Sequence, residues 1–161
     1  MNTETKKNWE AQLDELLPSL GHRNWILVVD KAFPLQSAQG MTYINTGSEF
    51  LEVLAKVTEK IGSANHIVGT YYTDAELKYI SDDLVQGIED FKFELNKVLA
   101  GNNIQTLSHN DVFKRLNDSS ELFNVVVLKT EHIMPYTSVF IELDCGYWST
   151  EKEATLRILM Q

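Results

Sequence analysis

Cysteine is almost missing from this chain. Cys145 stands alone, so no internal disulfide can form and no multi-thiolate metal site can be built. Positive charge is also scarce: 14 Lys and Arg face 23 Asp and Glu, a formal net charge of −9. Such a surface repels phosphate backbones and anionic lipid heads, so neither nucleic acid nor a membrane surface is expected as a partner. Long apolar runs are lacking. Trp25–Val29 and Val125–Leu128 fall far short of the ~20 residues that cross a bilayer. The polar start, Met1-Asn-Thr-Glu-Thr-Lys-Lys, has no apolar core of the secretory kind, so the expected location is cytoplasmic. The three prolines are scattered, and no repeat, low-complexity tract or linker divides the 161 residues. At roughly 100–200 residues per domain, that length makes one domain, residues 1–161. Walker, dinucleotide-fingerprint, HExxH and GxSxG motifs are all absent.

What is present is an alternation of helix and strand patterns. Trp9, Leu13, Leu16, Leu17 and Leu20 form one apolar helical stripe, with Gly21 as its expected stop. Trp25-Ile-Leu-Val-Val29 reads as a strand buried on both faces and ends at Asp30. Residues 31–46, with Pro34 and Gly40, read as a long loop, of a length that usually has a function. Phe50, Leu51, Leu54, Val57 and Ile61 predict a second helix, stopped by Gly62, and His66–Tyr72 predicts a strand. Thr73-Asp-Ala-Glu76 has the form of a capping box opening a long helix to Ala100, with Leu84, Ile88, Phe91, Leu95 and Leu99 on one face and Gly101 as its stop. Ile104–Leu107 predicts a short strand, and Ser108 a cap for a helix through Leu116. Phe123–Leu128 and Val139–Leu143 predict the last strands, and Ser149–Gln161 a terminal helix. The pattern implies a single layered α/β domain with a mixed, mostly parallel sheet flanked by helices.

Few residues offer chemistry. None of the four histidines, His22, His66, His109 and His132, pairs with another at metal-ligand spacing, and the expected metal and cofactor complement is none. His22 lies in a loop just before the buried strand, where a solvated histidine is the ordinary reading. Asp30 stands at the carboxyl end of that strand, where open α/β sheets present their ligand crevice, though turns favour aspartate there too. His109 follows a cap residue, and Tyr136 follows Pro135 at a strand entrance, where either could serve packing alone. His66, His132 and Cys145 take the structural reading.

Taken together, four short motifs resemble the D-ribose pyranase / L-fucose mutarotase family. They are Leu20-Gly-His22, Val28-Val-Asp30-Lys-Ala-Phe-Pro34, Ser108-His109-Asn-Asp-Val-Phe-Lys114 and Pro135-Tyr136-Thr-Ser138, in family order from about Leu20 to Gly146. The resemblance implies an enzyme that interconverts anomers or ring forms of a free monosaccharide without a cofactor. It implies that His22 is the acid/base residue and that Asp30, His109, Tyr136 and Ser138 hold the sugar. It also implies a ring-shaped homo-oligomer with sites between subunits. The chemistry is compatible, because opening a hemiacetal needs one proton delivered and one removed, and an imidazole does either near neutral pH. Geometry adds an independent expectation: eight extended residues place His22 and Asp30 up to ~26 Å apart, so one sugar reaches both only if the loop folds back or a second subunit completes the site.

Departures from the family pattern keep other readings open. Ser138 replaces an asparagine, Asn24 an acidic residue, and Lys129-Thr-Glu-His132 an Arg-Thr-Gly-Glu stretch, while residues 147–161 extend beyond the family's usual end. The motifs lean toward fucose after Asp30 and toward ribose around His109, so the sugar is not assigned. A non-catalytic sugar-binding or regulatory relative is the alternative. A third reading is an oligomeric α/β protein with another small ligand under the 31–46 loop.

Overall fold

The computed structural model describes residues 3–37 and 39–161. Helix α1 (Thr3–Leu16) passes through a short 3-10 turn at Leu17–Ser19 into strand β1 (Trp25–Val29). Strand β2 (Met41–Asn45), helix α2 (Phe50–Ser63) and strand β3 (Ile67–Asp74) follow. A 3-10 turn at Ala75–Tyr79 leads to helix α3 (Ile88–Leu99), strand β4 (Asn103–Leu107) and helix α4 (His109–Ser120). Strands β5 (Val125–Lys129) and β6 (Val139–Cys145) and helix α5 (Thr150–Leu159) complete the order.

The six strands lie in the order β2-β5-β1-β6-β3-β4. β1 pairs parallel with β5, β5 with β2 and β3 with β4, whereas β6 runs antiparallel between β1 and β3. Five strands therefore point one way, and their carboxyl ends share one edge of the sheet with the entrance to β6. All five residues of β1 are buried, and they alternate between two cores. Ile26 and Val28 face α1, α2 and α3 through Trp9, Leu13, Leu54 and Leu95. Trp25, Leu27 and Val29 face α4 through Val112 and Leu116. The continuous apolar run of β1 is what a strand covered on both faces requires.

Three expectations are corrected. The 31–46 stretch is not one loop, because Met41–Asn45 forms β2 at the sheet edge. Only Ile44 of that strand is fully buried, so its apolar signal is weak, and backbone pairing to β5 rather than side-chain pattern makes it a strand. Thr73 and Asp74 do not open a helix. They are held in the β3–β4 ladder opposite Thr106 and Leu107, which outcompetes a local cap. The expected 75–100 helix is broken between Tyr79 and Ile88, where Gly87 takes φ +88° and Leu84 is exposed rather than buried. Smaller shifts occur at several helix ends, and α4 runs past the expected Leu116 to Ser120. α1 stops at Leu16, ahead of Pro18, and α2 runs through Gly62 to Ser63.

Candidate active site

The carboxyl edge gathers most of the singled-out residues. Asp30 follows β1, and Ser138 immediately precedes β6, its antiparallel neighbour. The Ser138 hydroxyl donates to Asp30 Oδ1 at 3.2 Å and accepts from the Asp30 N–H at 3.4 Å. Ser138 is buried, so its hydroxyl is committed to Asp30, while the Asp30 side chain remains half-buried at the edge.

His109 opens α4. Ser108 Oγ caps the helix by accepting from Asp111 N–H at 3.3 Å, as its sequence position predicts. The His109 N–H donates to both carboxylate oxygens of Glu76 at 3.0 Å. Its ring is fixed by Asp74, whose Oδ2 lies 3.0 Å from Nδ1. With the Asp74 carboxylate accepting from Nδ1–H, Nε2 is left to meet a ligand. The ring also packs on Phe113 (centroids 4.5 Å apart) and edge-on to Tyr136 (5.4 Å). Phe113 in turn stacks on Phe33, so the Phe-Pro segment after Asp30 reaches the same wall.

Asp74 is 2% exposed, and its Oδ1 is buried with no hydrogen-bond partner. Burial pushes its carboxyl up to about 6, against the pull of His109, with Glu76 and Asp30 adding to the rise. Sequence reading missed Asp74 and Glu76, because it assigned both to a capping box. The available signal was position: Asp74 ends β3 on the same sheet edge where Asp30 follows β1.

His132 takes its structural reading. Its ring packs on Phe91 (4.3 Å) and Phe50 (5.3 Å), its carbonyl accepts from Lys31 N–H at 2.7 Å, and its Nε2 is buried without a partner. Burial lowers its pKa, favouring the neutral ring, against the pull of Asp30 and Glu49. His66 is likewise structural, with Nε2 3.0 Å from the Leu20 carbonyl.

His22 is elsewhere. It precedes β1 and so lies at the opposite edge, where Nδ1 is 2.5 Å from Asp144 Oδ1 near the end of β6. Arg23 Nε donates to its Nε2 at 3.3 Å. The cleft holding His22, of about 1000 Å³, is lined also by Arg23, Asp144, Trp148 and Arg157, and by none of Asp30, His109, Tyr136 or Ser138. Asp144 was missed as well, since it lies just past the expected strand end at Leu143, where an acidic residue looks only like a solvated one. Arg23 (φ +73°) and Tyr136 (φ +59°) are the non-glycine residues with positive φ among those described. One stands beside His22 and the other against the His109 ring, and backbone strain of this kind is often stored at functional sites. Among the described residues no group of three or more His, Cys, Asp or Glu is arranged to hold a metal ion.

The sequence model of the RbsD / FucU transport protein family matches residues 5–145. The chain belongs to this family. The match reaches back into α1, ahead of the Leu20 at which the recognisable motifs begin, and ends before α5. Among solved structures the chain is similar to Bacillus subtilis RbsD complexed with D-ribose, at 21% identity and a TM-score of 0.59, over 83% of this chain and 92% of that one. It is also similar to the fucose mutarotase of Streptococcus pneumoniae in complex with L-fucose, at 15% identity and a TM-score of 0.52, over 89% and 98%. FucU from Bifidobacterium longum follows at 13% and 0.52, over 83% and 94%. At such identities the likeness is one of fold, and it includes the mixed sheet. No curated protein matches the chain in sequence. No helix among the described residues is long and apolar enough to cross a membrane.

Proposed function

We propose that this RbsD / FucU family member is a monosaccharide pyranase or mutarotase that needs no cofactor. His22 is its general acid/base, and Asp30, His109 and Tyr136 are its sugar-holding residues. The observation that carries the reading is the cluster at the carboxyl edge within a family-matched chain. There a half-buried carboxylate, an oriented imidazole and an exposed phenol stand at one edge of the sheet, a donor and acceptor set suited to neutral hydroxyls. The acidic surface is no obstacle, because a free sugar such as ribose or fucose carries no charge.

In this reading Asp30 accepts from sugar hydroxyls through the oxygen that Ser138 does not occupy, so Ser138 acts through Asp30. His109 offers Nε2, and Tyr136 offers its hydroxyl together with its ring. Asp144 holds His22 as the Nδ1–H tautomer, which leaves Nε2 to exchange protons once sugar displaces Arg23 Nε. Nε2 takes the proton of the anomeric hydroxyl and, as the ring C–O bond breaks, the imidazolium so formed delivers that proton to the departing ring oxygen, leaving the open-chain aldehyde and a neutral imidazole. The open-chain aldehyde then rotates and recloses by the reverse steps. Because β1 separates His22 from Asp30, both serve one sugar only when His22 comes from a second copy of the chain. The proposed enzyme is therefore a homo-oligomer with its sites between subunits, ring-shaped as the family resemblance implies.

The test is exchange NMR on equilibrated D-ribose and L-fucose. Micromolar protein is expected to broaden the anomer or ring-form signals of at least one sugar. Saturation transfer to a sugar without exchange would replace the enzyme by a sugar-binding relative, and neither effect would overturn both.

A further inference from the structure

Resting on that reading, we propose that Trp148 is a sugar-facing wall of the His22 cleft, an aromatic platform supplied by residues that lie beyond the family match. The cleft otherwise presents mainly polar groups, among them His22, Arg23, Asp144 and Arg157, beside the exposed Val68. A monosaccharide has two kinds of surface: hydroxyls that seek such polar partners, and C–H faces that pack on an aromatic ring. Trp148 supplies the second kind within the lining that holds the proposed acid/base.

The ring is held in place. Its indole N–H donates to Glu153 Oε2 at 2.7 Å, and Arg157 Nε donates to Glu153 Oε1 at 2.8 Å. The segment carrying it is anchored at both sides. The Gly146 N–H donates to the His66 carbonyl at 2.9 Å. A Cβ at Gly146 would stand 2.8 Å from the Ile67 backbone nitrogen, so this close turn requires glycine. Ser149 Oγ caps α5 by accepting from Lys152 N–H at 3.1 Å. Yet α5 buries none of its residues, and Trp148 stays 46% exposed. A helix that adds nothing to the core, but whose Glu153 holds the indole of a cleft-lining residue, serves the cleft rather than the fold. The cleft is far larger than one monosaccharide, so the walls that narrow it decide which sugar face is accepted.

The chain offers a direct reporter. Of its three tryptophans, Trp9 is 1% and Trp25 0% exposed, so quenching of tryptophan emission by acrylamide reads mainly Trp148. Saturating D-ribose or L-fucose, whichever the protein exchanges, is expected to reduce that quenching at least about twofold. Trp148→Ala is expected to raise KM by about 3- to 10-fold, the range of one aromatic packing contact, with the loss in KM and not in kcat. Trp148→Phe should recover most of it, and far-UV circular dichroism checks that each variant folds. Unchanged KM in Trp148→Ala, or quenching that is blocked with and without sugar because a neighbouring chain covers the ring, overturns the proposal and leaves the enzyme reading standing. A wild-type protein that neither exchanges nor binds either sugar removes both.

Discussion

His22→Ala and Asp30→Ala are each expected to lower sugar exchange by about 10²- to 10⁴-fold, and co-expression of the two is expected to restore about a quarter of wild-type activity. The first loss is the usual worth of a positioned proton-transfer group. The second follows because a sugar that is not held by Asp30 does not present its ring oxygen to His22. Restoration follows from the sheet. His22 and Asp30 flank β1 at opposite edges, and register agrees, since Asp144 meets His22 at one end of β6 while Ser138 meets Asp30 at the other. If each site takes His22 from one subunit and Asp30 from another, random mixing of two defective chains leaves about one site in four with both residues intact. Exchange rates of the purified mixed oligomer measure this. Activity no greater than that of either variant alone would place both residues on one chain at each site.

The second large effect concerns stability. The carboxyl of Asp74 is raised to about 6 in the folded protein from 3.8, mainly because burial disfavours its charge. Between these values the folded state binds more protons than the unfolded one, so stability falls as pH rises from about 4 to about 6. At about 1.4 kcal/mol per pH unit, the cost carried at neutral pH is on the order of 3 kcal/mol. Asp74→Asn removes the titration, and its curve of unfolding free energy against pH is expected to lack that decline. His132 acts oppositely: its lowered pKa costs stability as pH falls below about 6.5. Wild type and variant share that contribution, so their difference isolates Asp74. Denaturant midpoints measured from pH 4 to 7.5 supply both curves, and parallel curves would show that Asp74 is not strained by burial. The cost is of the kind functional sites carry, since the same buried carboxylate orients His109.

Strong patterns in the sequence survived folding. Trp25–Val29 could be read as a doubly covered strand because five consecutive apolar residues leave no solvated face, and the structure buries all five. Ser108 was legible as a cap because its chemistry is local. β2 was not legible. Its edge position leaves Thr42, Tyr43 and Asn45 partly solvated, and pairing with a strand some 80 residues away has no local signature. Thr73–Glu76 misled for the same reason, because the β4 ladder overrode a sound local motif. At the carboxyl edge, Asp30, His109 and Tyr136 were legible through short motifs and strand ends. Their partners Asp74 and Glu76 were not, since contacts between residues 33 or 35 positions apart exist only once β3 and α4 are side by side. Asp144 is the extreme case, 122 positions from the histidine it orients.

The most direct test is a crystal structure of the protein with the sugar it exchanges. The account predicts one sugar per interface between subunits, its hydroxyls on Asp30, His109 and Tyr136 of one protomer. The imidazole at hydrogen-bonding distance from its ring oxygen or anomeric hydroxyl would be the His22 of the neighbour. A sugar bound at Asp30 with no His22 in reach, or with His22 and Asp30 drawn from the same chain, would contradict it.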